Sequence, residues 1–221
     1  MTSNASTPKL VFFISIIVFG SSLLLVACNI PLDFLQAPGG VLFQDDFSQP
    51  IAQWQRADVT QASSDYVEDS YRIRVNQPNL RVVSTAGLSF EDVQIEVDAQ
   101  KKNGSEHNLY GIICRYQNEA NYDALLISSD GYYGIFANVS GKFGLIGVEL
   151  MAASNAIHGG LISNHLSARC NGNQLSLAVN GRFLTSQVDE HFSRGDIGLL
   201  VGSLEEDGVE VWFDNLSVIK P

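Results

Sequence analysis

The stretch Tyr122-Asp123-Ala124-Leu125-Leu126-Ile127-Ser128-Ser129-Asp130-Gly131-Tyr132-Tyr133-Gly134-Ile135-Phe136-Ala137-Asn138 consists of two apolar runs around a turn. Side chains of a strand alternate between its faces, so the loop length decides which residues of the two runs share a face. A three-residue loop over 129–131, with Gly131 supplying a left-handed backbone, puts Leu125, Ile127, Tyr133, Ile135 and Ala137 together. Tyr122, Ala124, Leu126, Ser128, Tyr132, Gly134, Phe136 and Asn138 then fall on the other face. A two-residue loop would mix the sets. The first set reads as a core face. The second, with aromatic rings among small and polar residues, reads as an open face.

The same grammar extends in both directions. Asn171-Gly172 and Asn180-Gly181 each sit between apolar runs, as hairpin turns do. Alternation predicts strands near 41–47, 65–67, 71–75, 80–84, 89–100, 108–116, 122–128, 132–139, 143–149, 165–170, 174–179, 182–188, 196–202 and 209–219. Residues 150–160 read as a long loop with room for one helical turn. No segment after residue 40 sustains helical periodicity, so the expected class is all-β with antiparallel strands.

The N-terminus reads as an address. Eighteen uncharged, mostly apolar residues run from Leu10 to Ala27, preceded by Lys9 and followed by Cys28, which is the layout of a secretory signal peptide. Leu25-Val26-Ala27-Cys28 matches the lipobox of bacterial lipoproteins, in which the cysteine receives a diacylglycerol and becomes the new N-terminus. An uncleaved membrane-spanning anchor is the alternative, since 18 residues lie at the lower limit for crossing a bilayer. The expected organisation is a signal peptide over 1–27, a lipidated cysteine and spacer over 28–40, and one β-sandwich over 41–221. The expected location is the bacterial cell membrane, lipid-anchored and facing outside the cytoplasm.

Charge narrows the partners. The chain has 13 Lys+Arg against 24 Asp+Glu; Lys9 is the only charged residue before Cys28, so removing it leaves 12 against 24, a charge near −12. Nucleic acid is therefore not an expected partner, because a phosphate-binding surface needs clustered Lys and Arg. Lipidation removes one of three cysteines from the count. Cys114 and Cys170 then remain in an oxidising compartment, which predicts a disulfide between them.

Several short motifs occur in a suggestive order: Asp45-Asp46-Phe47-Ser48, Trp54, Phe90-Glu91-Asp92-Val93-Gln94-Ile95-Glu96-Val97-Asp98-Ala99, Gly111-Ile112-Ile113-Cys114-Arg115-Tyr116, Asn121-Tyr122 and Ser129-Asp130-Gly131-Tyr132-Tyr133. Cys170-Asn171-Gly172, Val179-Asn180-Gly181 and Trp212-Phe213-Asp214-Asn215-Leu216 complete the set. Together they resemble the concanavalin A-like lectin/glucanase superfamily, in particular the bacterial extracellular group labelled 3-keto-disaccharide hydrolase or domain of unknown function. The resemblance implies an antiparallel two-sheet jelly-roll sandwich whose curved open face, or its rim loops, meets glycans.

Catalytic patterns are sparse. The glucanases of this superfamily carry Glu-x-Asp-x-x-Glu on one strand, whereas here Glu96-Val97-Asp98-Ala99-Gln100 is followed by Lys101. Glycoside hydrolysis uses a pair of carboxyl groups, and the third carboxylate of the motif is missing. No Gly-x-Ser-x-Gly, His-Glu-x-x-His or Walker sequence occurs. The glycine-rich Gly141–Gly147 stretch reads as a tight turn, and the four histidines are never within four positions of one another. Asp45, Asp46 and Asp214 are the candidate ligands of a structural calcium ion, placed where the first and last strands meet; no other cofactor is expected.

Alternation in the strand over 108–116 sends Gly111, Ile113 and Arg115 to one side and Tyr110, Ile112, Cys114 and Tyr116 to the other. A charged arginine is rarely buried unpaired, so its side is taken as the open one. Val93, Ile95, Val97 and Ala99 point inward, which places Glu96 and Asp98 outside. The candidate ligand site is accordingly Glu96, Arg115, Tyr122 and Tyr132, with Phe136 as an apolar floor. Three readings of function remain: a non-catalytic module binding glycan or another surface component, a structural or protein-interaction lipoprotein, and a glycan-cleaving hydrolase.

Overall fold

The computed structural model describes Met1, residues 38–204 and residues 208–221. The signal peptide and the Cys28 lipidation site lie outside the described residues, as does the spacer up to residue 37. The described strands are β1 (Val41–Asp45), β2 (Ala57–Val59), β3 (Ala62–Val67), β4 (Ser70–Val75), β5 (Arg81–Phe90), β6 (Val93–Asn103), β7 (Asn108–Asn118) and β8 (Asn121–Ile127). They continue with β9 (Tyr132–Val139), β10 (Lys142–Leu145), β11 (Ala152–Ala153), β12 (Asn164–Asn171), β13 (Gln174–Val179), β14 (Arg182–Val188), β15 (Gly195–Ser203) and β16 (Val209–Ile219). No helix occurs among the described residues.

Two antiparallel sheets form a jelly-roll sandwich. One has nine strands in the order β14-β13-β12-β6-β16-β4-β3-β2, with β1 pairing with the C-terminal half of β16. The other has seven, in the order β10-β9-β8-β7-β15-β5, with β11 beside β9. The main core lies between the sheets. From the nine-stranded sheet come Tyr71, Ile73, Ile95, Val97, Leu166, Leu177, Val211 and Phe213; Tyr110, Ile112, Leu125, Ile135 and Leu199 meet them from the seven-stranded sheet.

The hairpin between β8 and β9 has the loop that alternation demands. Ser128 N donates to Tyr132 O, enclosing residues 129–131, and Gly131 has φ 94°. Leu125, Ile127 and Ile135 join the inter-sheet core while Tyr122, Ala124, Leu126 and Phe136 face the other way.

The expected strand over 89–100 is two strands. β5 belongs to the seven-stranded sheet and β6 to the nine-stranded one, with Glu91 and Asp92 carrying the chain across the sandwich. Leu88 and Phe90 pack against the same core as Val93, Ile95 and Val97. A single strand would send even and odd positions to opposite faces, so the phase change between Phe90 and Val93 is where the sheets exchange the chain.

The expected disulfide is present. Cys114 of β7 and Cys170 of β12 are bonded with Cα atoms 6.8 Å apart and 56 positions of separation, which ties one sheet to the other. The calcium expectation is not met by the geometry. Asp45 spends its two oxygens on Phe47 N at 2.8 Å and Trp54 Nε1 at 2.9 Å, and Asp46 turns to the backbone and hydroxyl of Ser48. Asp214 accepts from Asn215 N. Among the described residues no group of three or more His, Cys, Asp or Glu side chains is arranged to hold a metal ion. These carboxylates act on local N–H groups, in which role Asp45 anchors the Phe47–Trp54–Tyr71 aromatic group.

Candidate functional site

The two sheets bury their outer faces differently. Strand β6 alternates between buried and half-exposed positions, as a sheet with one solvated face does, whereas β7, β8 and β15 are buried at nearly every position. The outer face of the seven-stranded sheet holds a second apolar cluster of Leu109, Ile113, Tyr122, Ala124, Leu126, Phe136 and Leu200.

Curvature covers this cluster. The guanidinium of Arg81, on edge strand β5, lies 4.2 Å from the ring centre of Phe143, on the opposite edge strand β10. Five strand spacings of about 4.8 Å separate those edges in a flat sheet, roughly 24 Å, which two side chains cannot bridge. The sheet therefore curls, and its outer face is concave. Phe143 stacks on Phe136 at 4.9 Å and Tyr116 stacks on Tyr122 at 5.9 Å, lining the concavity with rings.

At one end the concavity stays open as a cleft of about 560 Å³, lined by Arg81, Tyr116, Glu119, Tyr122 and Asn138 together with Gln55, Asn79 and neighbouring residues. Burial pushes the Tyr122 phenol above its usual range, and the Arg81 guanidinium beside it opposes that shift. The Tyr116 phenol is raised by burial first and by the Glu119 carboxylate second. Asn138 is 4% exposed; its amide donates to Glu119 O at 2.8 Å, while its Oδ1 has no hydrogen-bond partner. The cleft thus offers a ring, an arginine and a carboxylate together with the Asn138 side chain.

The five residues expected to form a ligand site are not brought together. Tyr122 contributes to the cleft, but it is 3% exposed rather than open, and Phe136 at 6% lies beneath Phe143. Tyr132 is 44% exposed and lines a separate apolar depression with His107, Asp130, Leu150, Met151 and Leu204. Glu96 is on the nine-stranded sheet, outside the sandwich from the cleft. There it accepts from Gln94 at 2.7 Å and faces His165, which also pairs with Asp98 at 2.8 Å.

Arg115 departs furthest from expectation, being 1% exposed. Its backbone has φ 57°, and the β7–β8 register shifts between Cys114 and Asn118. This bulge reverses the alternation for one step, sending Arg115 inward and bringing Tyr116 out to join Tyr122. Gly195 makes room, since a Cβ there would lie 2.3 Å from the Arg115 carbonyl carbon. Inside, Arg115 donates to Phe192 O at 3.0 Å and to Gly172 O, and stands 3.7 Å from Asp123 Oδ2. Neither oxygen of Asp123 accepts a hydrogen bond. Desolvation raises its carboxyl to about 7, with Asp189 adding to the rise and Arg115 and His191 opposing it.

Sequence reasoning missed Arg81, Tyr116 and Asn138. Asn138 was placed on the correct face, without a role. Arg81 is visible in the strand pattern, but nothing local indicates that the opposite edge of the sheet comes round to meet it.

No family model matches the chain, and no curated protein matches it. Among solved structures, it is similar to a carbohydrate-binding module, CBM66, from Bacillus subtilis, at 16% identity over 76% of this chain and 92% of that one, with a TM-score of 0.52. A Bacillus subtilis protein of unknown function with a galectin-like fold aligns over 83% of this chain and 97% of its own at 10% identity and a TM-score of 0.58. A Bacteroides ovatus GH16 protein of a mixed-linkage glucan locus, in complex with its G4G4G3G product, aligns over 80% and 100% at 10% identity and a TM-score of 0.56. Identities this low speak to fold alone: the chain carries a β-sandwich of the concanavalin A-like and galectin-like kind.

Proposed function

We propose that the protein is a non-catalytic glycan-binding module, held on the outer side of a bacterial membrane by a lipidated Cys28. The observation that carries this reading is the cleft on the concave face, where the ring of Tyr116 adjoins Arg81, Asn138 and Glu119. Aromatic rings present a flat apolar surface to a sugar ring, and the polar groups beside them satisfy its hydroxyls. The similarity in fold to a carbohydrate-binding module and to a glucan-bound GH16 protein supports a sugar as the ligand.

The absence of catalysis is part of the proposal. Glu119 is the only carboxylate among the described residues that line the cleft, whereas glycoside hydrolysis uses two flanking the bond. Glu96 and Asp98, the pair closest to the glucanase pattern, are on the other sheet and engaged by His165. A structural or protein-interaction role is the second reading, favoured by the apolar depression of Tyr132, Leu150, Met151 and Leu204.

A glycan-array screen of the protein, with reducing-sugar release measured on every bound glycan, separates these readings. Binding without release is the expected result. Release of reducing ends would make the protein a hydrolase, and no retention of any glycan would favour the interaction reading.

A further inference from the structure

The cleft is formally neutral in an acidic molecule, its described lining holding one arginine, Arg81, and one carboxylate, Glu119. Acidic residues outnumber basic ones by 24 to 13, yet Arg81 is in the wall of the cleft and is the one basic residue among the described residues lining it. Among the other arginines, Arg56 pairs with Asp65, Arg74 with Glu210 and Arg115 with Asp123, whereas Arg72, Arg169, Arg182 and Arg194 make no ion pair among the described residues. Among the described residues no carboxylate lies within ion-pair distance of Arg81. Its guanidinium rests on the Phe143 ring at 4.2 Å, beside the Tyr122 hydroxyl.

That arrangement restrains the guanidinium by ring contact rather than by an ion pair with any described carboxylate. Stacking on an aromatic face restrains a guanidinium while its N–H donors lie at the edge of its plane. An arginine held this way is pre-organised for a planar or branched anion, which it meets with paired, charge-assisted hydrogen bonds. Asn138 lies in the same wall, its amide donating to Glu119 O at 2.8 Å.

We infer that the cleft recognises a sugar bearing an anionic substituent, with the anion on Arg81 and the sugar ring against Tyr116. This rests on the reading of the cleft as a glycan site. Glu119, in the same lining, accepts hydroxyls and repels the anion, so it tempers affinity and sets orientation.

The test uses the full chain in detergent micelles and matched oligosaccharides measured by calorimetry at low salt. Oligogalacturonides and oligoglucuronides are compared with their carboxyl-reduced counterparts, and carrageenan oligosaccharides with their desulfated ones. The two arms tell a carboxylate from a sulfate as the anion. At least one acidic member is expected to bind about tenfold or more tightly than its neutral partner. Arg81→Gln should bring that ratio to about one, Arg81→Lys should keep part of it, and Glu119→Gln should raise it. Circular dichroism checks that each variant is folded.

Equal affinity for acidic and neutral members in both arms overturns the inference, as does an acid preference that survives Arg81→Gln. If neutral glycans bind and Tyr116→Ala weakens them, the glycan-binding reading stands without the anion. If no glycan binds, both fall.

Discussion

Asp123 should make the fold more stable in acid than at neutral pH. Its carboxyl is buried at the end of the sandwich with no hydrogen-bond donor on either oxygen, and Arg115 is 3.7 Å away. The ordinary value of 3.8 rises to about 7 in the fold. For an acid whose folded value is raised, both states are protonated below pH 4 and the group has no net effect. Between pH 4 and 7 the unfolded chain ionises while the fold still holds the proton, so stability is lost as pH rises. Above 7 the loss is complete. The interval corresponds to at most ~4 kcal/mol, and relaxation around the ionised group reduces that to about 2–4 kcal/mol.

Asp123→Asn keeps the shape and removes the charge. The variant is expected to unfold at higher urea than the wild type at pH 8 and at similar urea at pH 4. The difference should open through pH 5–7. Urea titrations followed by tryptophan fluorescence, with the disulfide intact, measure both curves. Parallel curves from pH 4 to 9, or a variant less stable at pH 8, would refute the reasoning. Either outcome would mean that Arg115 and His191 hold the charged form better than burial and Asp189 disfavour it. Asp45, Asp196 and Asp214 are also raised by burial, so the wild-type slope alone is not diagnostic and the difference between variants is.

The Cys114–Cys170 bond closes a separation of 56 residues; in the chain-entropy model its replacement by two alanines should cost about 4 kcal/mol. Mass spectrometry of the unreduced, alkylated wild type should find neither cysteine modified, and two modified cysteines would contradict the bond. Cys28→Ser should prevent lipidation, leaving an unprocessed or released chain; a variant that still partitions into detergent with the mass of the wild type would rule out the lipobox.

Most of the scaffold is legible one strand at a time. Turn chemistry at Gly131 and alternation on both sides of it determine the loop length, the register of β8 with β9, and the two faces. The β6 pattern determines its inward residues in the same way, and the cysteine count leads to the disulfide. Each of these depends on neighbours in sequence or on a count, and such signals do not require knowledge of the partner strand.

The site is different, because it depends on departures from alternation and on distances across a sheet. A bulge at Arg115 exchanges the faces of Arg115 and Tyr116, and the Gly195 that makes it possible is on another strand, 80 positions away. Glu96 and Tyr122 both point away from the core, as alternation says, yet they do so from opposite sheets, because the chain changes sheet again between β6 and β7, over residues 104–107. Arg81 meets Phe143 only because the accumulated twist and curl of six strands bring two edges together. Period-two alternation tells a residue which side of its strand it occupies; which sheet owns that strand, and what curves over it, is decided by contacts between residues far apart in the chain.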